Sequence, residues 1–246
     1  MRRNSYQAIA DVYDLWYRED PLSYTEWLFR RLKPEIRKAT RITDLACGTG
    51  ALAVEAARMG KRVCGVDISS EMLGKARKKA RMHKLEIRWI QARMEQFRIP
   101  EPQDLIICAF DSINHLLSVE ALRHCFACVA RSLSNGGRFV FDVNNFRSFQ
   151  ILWNNEEDHT IDGIRIHMHS RFDPTQRHAR CALTITAPGK KPRVQVIDER
   201  FFSIPELRQA LMRAGLRIDS REPISPFPEF GAIKDLWYCR RKEFDR

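Results

Sequence analysis

The first 145 residues alternate short apolar runs with segments in which apolar residues recur at helical spacing. This alternation predicts a parallel β-sheet with helices on both faces. Residues 104–110 are almost wholly apolar, which is typical of a central strand buried on both sides. The pattern predicts strands at 40–46, 62–67, 85–90, 104–110 and 138–143 and helices at 51–59, 70–83 and 119–133, with an Asn-Gly-Gly turn at 135–137.

After residue 145 the pattern changes to an alternation of apolar and polar residues, the period of a half-buried strand. Segments with this period, separated by turns that contain proline, predict an antiparallel meander. Ser203 and Glu206 have the spacing of a capping box, so we expect a helix from Ser203 that ends near Gly215. The meander segments are 163–172, 179–186 and 193–202, and two later strands, 216–221 and 235–240, are expected to close the main sheet as a hairpin.

Residues 42–50, Ile-Thr-Asp-Leu-Ala-Cys-Gly-Thr-Gly, form the most informative motif, a strand that runs into a glycine-rich turn before a helix. Gly48 and Gly50 have no side chains to obstruct a ligand that approaches the backbone. Asp67 follows Gly48 by 19 residues, where its carboxylate can accept hydrogen bonds from ribose hydroxyls. The motif predicts a nucleoside site, and an ordinary tight turn beside a solvated aspartate is the alternative.

Two residues favour S-adenosylmethionine over a dinucleotide as the ligand of this turn. Ala53 replaces the third glycine of a pyrophosphate-binding turn, and Asp44 places a carboxylate beside it. A carboxylate there repels phosphate but interacts favourably with the sulfonium and amino groups of S-adenosylmethionine. Through segments 44–50, 66–73, 104–116 and 133–142, the chain resembles the class I S-adenosylmethionine-dependent methyltransferases over nearly its whole length.

That resemblance implies an α/β fold with a doubly wound, seven-stranded, mostly parallel sheet and a small antiparallel β insertion after the fifth strand. It also implies a single domain over 1–246, with a helical lid at 1–35 and an insertion at 146–203 that shapes the acceptor pocket or a dimer contact. The residues implied to bind the cofactor are Asp44, Ala46, Gly48, Gly50, Asp67, Ile68, Met72, Ala92, Arg93, Met94 and Phe110.

Two parts of that implied cofactor site have alternatives. Ile68 and Met72 are expected to flank the adenine, but packing in the core would explain the same two apolar residues. The family often has an acidic residue where Arg93 stands in this chain. Adenine recognition is therefore expected from the backbone around residues 92–94.

The loop 110–116, Phe-Asp-Ser-Ile-Asn-His-Leu, follows the fourth strand at the end of the sheet where open α/β folds place their ligands. His115 can act as a general base near neutral pH, and Asp111 or Asn114 can orient an amine or a hydroxyl group. A histidine that only hydrogen-bonds the loop is the alternative.

With this loop and three aromatic residues near its start, the chain resembles small-molecule N-methyltransferases, including the amino-sugar N,N-dimethyltransferases. The resemblance implies that Tyr6 and Trp16 cover the acceptor, that Tyr13 lies near the methyl group and that His115 lies beside the amine. Packing on the core is the alternative for Tyr13. The predicted reaction moves a methyl group from S-adenosylmethionine to a small-molecule acceptor, with an amine nitrogen favoured, and leaves S-adenosylhomocysteine.

Charge adds a competing hypothesis. The chain has 42 basic and 31 acidic residues, a net charge of +11, and segment 71–88 has seven basic side chains against two acidic ones. Such a run faces RNA or is simply the solvated face of an outer helix. Many enzymes that methylate nucleic-acid bases have an Asn-Pro-Pro-Tyr-like element after the fourth strand, which residues 111–114 lack. An RNA methyltransferase is therefore a secondary alternative, and a protein that binds S-adenosylmethionine without turnover is a third.

The remaining expectations concern metal, location and assembly. Seven cysteines lie mostly in apolar runs at irregular spacing, which predicts reduced thiols and a cytoplasmic protein. His124 with Cys125 and Cys128, and His167 with His169, could suggest zinc, but neither group has an evident further ligand, so no metal is expected. No apolar stretch approaches the ~18 residues that cross a membrane, so no membrane partner is expected. The chain is expected to be a monomer or a homodimer.

Overall fold

The computed structural model describes residues 9–11, 13–14 and 24–242. Within these ranges the chain forms a seven-stranded sheet and a separate four-stranded sheet. The strands are β1 Arg41–Leu45, β2 Arg62–Asp67, β3 Ile87–Gln91, β4 Gln103–Cys108, β5 Leu133–Asn144, β6 Glu156–Ile161, β7 Ile164–Asp173, β8 His178–Thr186, β9 Arg193–Arg200, β10 Leu216–Ile224 and β11 Lys234–Arg241. The helices are α1 Tyr24–Lys38, α2 Ala51–Arg58, α3 Ser70–Met82, α4 Val119–Ser132, α5 Phe146–Leu152 and α6 Ile204–Arg213, with 3-10 turns at Ser112–His115 and Pro228–Phe230.

The seven-stranded sheet has the order β10-β11-β5-β4-β1-β2-β3. Strands β1 to β5 pair in parallel, whereas β11 pairs antiparallel with both β5 and β10. The carboxyl ends of β1, β2 and β4 therefore lie at the same end of the sheet. The predicted mostly parallel α/β sheet, its closing hairpin and its antiparallel insertion are confirmed.

Helices cover both faces of this sheet because each buries an apolar stripe. On one face, the ring of Phe126 in α4 lies 5.4 Å from that of Phe141 in β5, which stacks on the ring of Trp237 in β11. On the other face, Leu28 and Leu32, one helical turn apart in α1, are fully buried. Burial on both faces explains why the central strands read as continuous apolar runs.

The four-stranded sheet has the order β6-β7-β8-β9, and every neighbouring pair is antiparallel. Its inner face is apolar and includes Ile166, Leu183 and Ile197. The sequence predicted only three of these strands, because β6, Glu-Glu-Asp-His-Thr-Ile, is almost wholly polar. As an edge strand it needs an apolar residue only where its end, Ile161, meets the core.

The structure differs from the sequence prediction in two further places, within β5 and just after it. The predicted turn at 135–137 lies inside β5, where the pairing with β4 shifts from Gln103–Leu133 to Leu105–Arg138. The Asn-Gly-Gly sequence therefore forms an irregularity within the strand rather than ending the preceding helix. The helix α5 was not predicted, since its seven residues are too few to establish a helical period.

Helix α6 begins as predicted. Ser203 and Glu206 form the capping box, in which the backbone N–H of Ser203 donates to Glu206 Oε2 at 2.8 Å. In the part of the chain that the structure describes, no helix combines the length and the apolar character needed to span a membrane.

Candidate active site

The glycine-rich turn after β1 and the end of β2 are joined through Asp67. The Asp67 carboxylate accepts the backbone N–H groups of Gly48 and Ser69, both at 2.8 Å. Burial raises the pKa of Asp67, and the bonds from Ser69 and Gly48 oppose that rise. A carboxylate has about four acceptor sites, and the backbone N–H groups of Gly48, Ser69 and Ile68 do not fill all of them, so Asp67 can still accept a hydrogen bond from a diol such as ribose.

Asp44 lies beneath the same turn. It is 3% exposed, and its Oδ2 accepts the backbone N–H of Ala53 at 3.0 Å. Burial raises the pKa of Asp44 to about 7, and the nearby charge of Asp67 adds to this effect. A cation next to Asp44 would favour its ionised form, whereas a phosphate would not.

A cavity of about 2080 Å³ extends from the glycine-rich turn to the inserted sheet. The glycine-rich turn after β1 and the loops after β3 and β4 bring most of the predicted residues together around this cavity. Phe110, between β4 and the 3-10 turn that carries His115, has a left-handed φ of 59°, which turns the chain toward that turn. The predicted residues that line the cavity are Tyr13, Asp44, Ala46, Gly48, Asp67, Ile68, Met72, Ala92, Arg93, Met94, Phe110 and His115.

The two glycines of the turn have different roles. A β-carbon on Gly48 (φ +53°) would have no atom within 4 Å, so its open side faces the cavity. A β-carbon on Gly50 (φ +77°) would lie 2.7 Å from the indole ring of Trp89 and 2.9 Å from Ala76. Gly50 is not part of the cavity lining, and the reason for a glycine there is the packing of Trp89 rather than an approaching ligand.

The loop after β3 supplies an acidic residue close to the position where the family pattern has one. Arg93 Nε donates to Glu95 Oε1 at 2.7 Å, and both residues line the cavity. Glu95 is mostly buried, so its carboxylate lies two residues after the arginine that replaced the expected acid. We did not predict Glu95 from the sequence.

His115 has a defined orientation. Its Nδ1 lies 3.2 Å from the backbone carbonyl oxygen of Asp198 in β9. A carbonyl oxygen can only accept, so Nδ1 carries the hydrogen and the lone pair is on Nε2. Burial lowers the pKa of His115, while the charge of Asp111 opposes the shift. Neutral imidazole, with its lone pair on Nε2, is the form that accepts a proton.

A buried cluster of ionisable groups lies next to His115. Lys234 Nζ donates to Asp111 Oδ1 at 2.5 Å and to Asp142 Oδ2 at 3.1 Å. The backbone N–H of Asp111 also donates to Asp142 Oδ2, at 2.9 Å. Glu199 is also buried, with 2% of its surface exposed, and its Oε1 lies 3.8 Å from His115 Nε2. Carboxyl groups of β5, β9 and the β4 loop thus surround one lysine of β11.

The two residues predicted to orient the acceptor do not line the cavity. The Asp111 side chain is bound by Lys234, and Asn114 is fully buried. Asn114 Nδ2 donates to the carbonyl oxygen of Arg200, and its Oδ1 accepts the backbone N–H of Asn144. Asn114 therefore ties the 3-10 turn to β5 and β9, and its amide is buried away from the cavity that His115 lines.

The described part of the N-terminal segment is attached to α3 and to the glycine-rich turn. Lys75 Nζ lies 2.6 Å from Asp11 Oδ1. Lys79 Nζ lies 3.1 Å from Asp14, whose Oδ1 accepts a hydrogen bond from Thr49 Oγ1 at 2.5 Å. Two lysines of the basic segment thus hold residues beside the cavity. Tyr13 lines the cavity, whereas Tyr6 and Trp16 lie outside the described residues.

The cysteines and His167, which could suggest zinc in the sequence, have protein partners in the structure. All seven cysteines are buried free thiols, and Cys125 and Cys128 face the core from α4. His167 lies 3.5 Å from Glu156 and 3.4 Å from Asp158, both on β6.

Among the described residues, one group of three side chains of metal-ligand type is compact, with atoms within 4.8 Å of one another. The group comprises Asp111, His115 and Glu199. Lys234 already donates to Asp111, and Asn144 Nδ2 donates to Glu199 at 3.0 Å. We therefore describe the group as a hydrogen-bonded cluster.

Glu199, Asp142 and Lys234 were not predicted, although the sequence holds a signal for two of them. Asp142 interrupts the apolar run Phe-Val-Phe-Asp-Val at 139–143, so a strand there must bury a carboxyl group. Glu199 follows Ile197 by two residues in a strand of period two, which puts it on the buried face. Nothing local marks Lys234, because its partners come from distant strands.

S-adenosylmethionine fits the donors and acceptors around this cavity. Gly48 leaves space beside the backbone, and Asp67 has acceptor capacity for a ribose diol. The buried carboxyl of Asp44 suits a cationic group and disfavours a pyrophosphate. Asp44, Gly48 and Asp67 would hold it, with residues 92–95 beside its base.

Comparison with known proteins agrees with this geometry. A family model described as a methyltransferase domain matches residues 42–137. A protein of Geobacillus sp. (strain WCH70) with a provisional methyltransferase name is 34% identical over 143 residues, which is 57% of this chain and 58% of that protein. The chain thus spans little more than half the length of that relative.

Two further likenesses extend over almost the whole chain. The dTDP-3-amino-3,4,6-trideoxy-α-D-glucopyranose N,N-dimethyltransferase of Streptomyces venezuelae is 28% identical over 229 residues, which cover 87% of this chain and 92% of that enzyme. The crystal structure of an S-adenosylmethionine-dependent methyltransferase from Clostridium acetobutylicum superposes with a TM-score of 0.80 at 23% identity, covering 97% of this chain and 99% of that one. The second likeness shows that the two chains share a fold.

Proposed function

We propose that the chain is a class I, S-adenosylmethionine-dependent methyltransferase and that it methylates an amine nitrogen of a small-molecule acceptor; the methyltransferase-domain match over residues 42–137 and the shared fold support the first part. The observation that carries this proposal is the position of His115. His115 lines the cavity, the Asp198 carbonyl oxygen fixes its Nδ1–H, and the buried carboxyl group of Glu199 lies 3.8 Å from its Nε2.

The chemistry requires a neutral amine and an aligned methyl donor. The bound cofactor supplies an electrophilic methyl carbon on a sulfonium. His115 Nε2 removes the proton from the acceptor ammonium, and the carboxylate of Asp111 stabilises the resulting imidazolium. Alignment and exclusion of water provide the rest of the rate acceleration, as in other in-line displacements.

We further propose that the N-terminal segment 1–35 is a lid and that the insertion 146–203 shapes the acceptor side of the cavity or a dimer contact. Ile9 and Ala10 belong to the same buried cluster as Met72 and Ile197. The cavity wall also includes Val194 and Val196 of β9, both exposed. These contacts support closure of one cavity by two elements that the parallel sheet does not provide.

The cytoplasm remains the proposed location, on the basis of seven buried free thiols. An RNA acceptor is less supported, because two lysines of the basic segment are engaged by Asp11 and Asp14.

The deciding experiment follows a labelled methyl group from S-adenosylmethionine into lysate of the source organism, separated into low-mass, RNA and protein pools. We expect label in the low-mass pool, in a product that gains the mass of one or two methyl groups on nitrogen. Label in RNA that disappears on charge reversal at Lys78 and Arg81, both exposed, would replace this proposal with the RNA alternative. No transfer to any pool would favour a binding protein without turnover.

A further inference from the structure

Glu199 connects the inserted sheet to the active site. It lies on β9, is 2% exposed, and its Oε2 accepts the side-chain N–H of Asn144 at 3.0 Å. One of its carboxyl oxygens also lies within 4.8 Å of a carboxyl oxygen of Asp111. Glu199 Oε1 faces His115 Nε2 at 3.8 Å. One side chain of the insertion therefore lies next to both His115 and Asp111.

The charges of this cluster do not balance if every acid is ionised. Asp111, Asp142 and Glu199 contribute three carboxyl groups, and Lys234, which donates to the first two, contributes one cation. Two carboxylates cannot hydrogen-bond without a proton between them. The charged and titratable groups that act on His115 from the elements packed on it are Asp67, Asp111, Glu199 and Lys234, while Asp198 contacts the ring through its backbone carbonyl oxygen.

The environment indicates which carboxyl keeps the proton. Burial and the neighbouring Asp111 carboxylate raise the pKa of Glu199 well above its usual range. Burial alone would also raise the pKa of Asp111, but Lys234 lowers it overall. The proton therefore resides on Glu199, and the negative charge resides on Asp111 beside Lys234.

We propose that Asp111 and Glu199 share one proton, and that Glu199, as a neutral carboxylic acid, is a positioning residue that holds the Asp111 carboxylate against His115. This inference rests on the proposed function for its catalytic meaning. When the ammonium N–H bond breaks, a bond from hydrogen to His115 Nε2 forms, and the positive charge moves from the amine to the imidazole. Glu199 keeps its own proton throughout, so of the two carboxyl groups that share it only Asp111 presents a negative charge to the new imidazolium.

The proposal predicts that a neutral amide can replace Glu199. In Glu199→Gln the amide N–H donates to Asp111 as the carboxyl O–H does, and the amide oxygen accepts from Asn144. Asp111→Asn is the matched variant, because it removes the charge and keeps the shape. We expect the titration midpoint of His115 to stay within about 0.3 pH units in Glu199→Gln and to fall by about one pH unit or more in Asp111→Asn, since an anion raises an imidazole pKa.

Two measurements that need no methyl transfer test these expectations. Nuclear magnetic resonance of the His115 ring follows its titration, with His115→Gln used to assign the signal. Infrared difference spectra of wild type minus Glu199→Gln at pH 7 should contain the carbonyl stretch of one protonated carboxylic acid. Absence of that band, or a His115 midpoint that falls in Glu199→Gln as far as in Asp111→Asn, would show an ionised Glu199 and overturn the inference.

Kinetics then relate the shared proton to the reaction. We expect Glu199→Gln to keep the pH profile of kcat/KM and at least about a third of the wild-type kcat, whereas Glu199→Leu, which cannot donate, loses at least tenfold in kcat with little change in cofactor affinity. Equal losses in the two variants would contradict a positioning role. If no acceptor is found, the proposed function fails, but the infrared and resonance results still decide the protonation of Glu199.

Discussion

The indole ring of Trp89 occupies the space that a side chain on Gly50 would need. A β-carbon there would lie 2.7 Å from the ring, at a residue with a φ of +77°. Gly48, two residues earlier, has a similar backbone conformation but no neighbour within 4 Å. One glycine of the motif therefore serves packing between β3 and the turn, and the other keeps the cavity open.

Alanine at these two positions should separate folding from binding. We expect Gly50→Ala to lower the free energy of unfolding by about 2–5 kcal/mol, from overpacking together with left-handed backbone strain. Gly48→Ala should cost only about 1–2 kcal/mol of strain but weaken binding of S-adenosylhomocysteine. Chemical denaturation and calorimetric titration measure the two effects. Equal stability losses would show that Trp89 gives way easily.

Whether the role of a residue can be predicted from the sequence depends on how far along the chain its contact partners lie. The turn, Asp67 and His115 were predictable because local strand, turn and helix patterns place them at one end of a parallel sheet. The role of Gly50 was not, since Trp89 reaches it from another strand. The same applies to Lys234, whose partners are 123 and 92 residues away in the chain. A pattern along the chain reports a residue's own element but not the side chains that meet it.

Replacing Asp67 should strongly weaken the binding of the cofactor. Hydrogen bonds to a charged acceptor contribute about 1.5–3 kcal/mol each, so loss of two from ribose hydroxyls predicts at least a hundredfold weaker binding of S-adenosylhomocysteine to Asp67→Ala. Titration calorimetry measures this directly. Asp219→Asn, on β10, is the control for loss of a carboxylate elsewhere. Wild-type affinity in Asp67→Ala would refute the proposed position of the cofactor.

His115 should determine the acid limb of the pH profile. Protonated imidazole cannot accept the proton of the ammonium, so kcat/KM falls as the pH drops through the pKa of His115. Burial lowers that pKa, and we expect the midpoint below about 6.5, the usual value for histidine. His115→Ala should lose at least tenfold in kcat and keep its affinity for S-adenosylhomocysteine. His124→Ala, an exposed histidine of α4, should retain full activity; a matching loss there would refute the assignment.

The ion pair between Lys79 and Asp14 should make cofactor binding depend on salt. The pair is partly exposed, with the two groups 3.1 Å apart, and such pairs contribute about 0.2–1 kcal/mol. We expect Lys79→Ala and Asp14→Ala each to weaken cofactor binding by up to about fivefold at low ionic strength. The double variant should be no weaker than the worse single variant, and the difference should shrink at 1 M salt. If the losses of the two single variants add up in the double variant, Lys79 and Asp14 act independently.

Lys234 should stabilise the folded state above pH 5 by neutralising buried carboxylates. It is the cation that donates to Asp111 and Asp142. Burial alone would lower the pKa of Lys234, but the two carboxylates raise it overall, so it is charged at neutral pH. In Lys234→Met both carboxylates remain buried without a cation, and we expect the free energy of unfolding at pH 7.5 to fall by about 3–5 kcal/mol.

The pH dependence identifies the cause of that loss. Without the lysine, the folded-state pKa of Asp111, which Lys234 holds low, rises above the unfolded value of about 3.9, and that of Asp142, which burial already raises, rises further. The unfolded state then binds fewer protons than the folded state, so stability decreases as the pH rises, and the deficit of Lys234→Met should shrink toward pH 5. Adding Asp142→Asn should recover part of the loss at pH 7.5, while Lys190→Met, at an exposed turn, should change little. A deficit that does not vary with pH would mean that Lys234 acts by packing, because a lost methylene contact does not titrate.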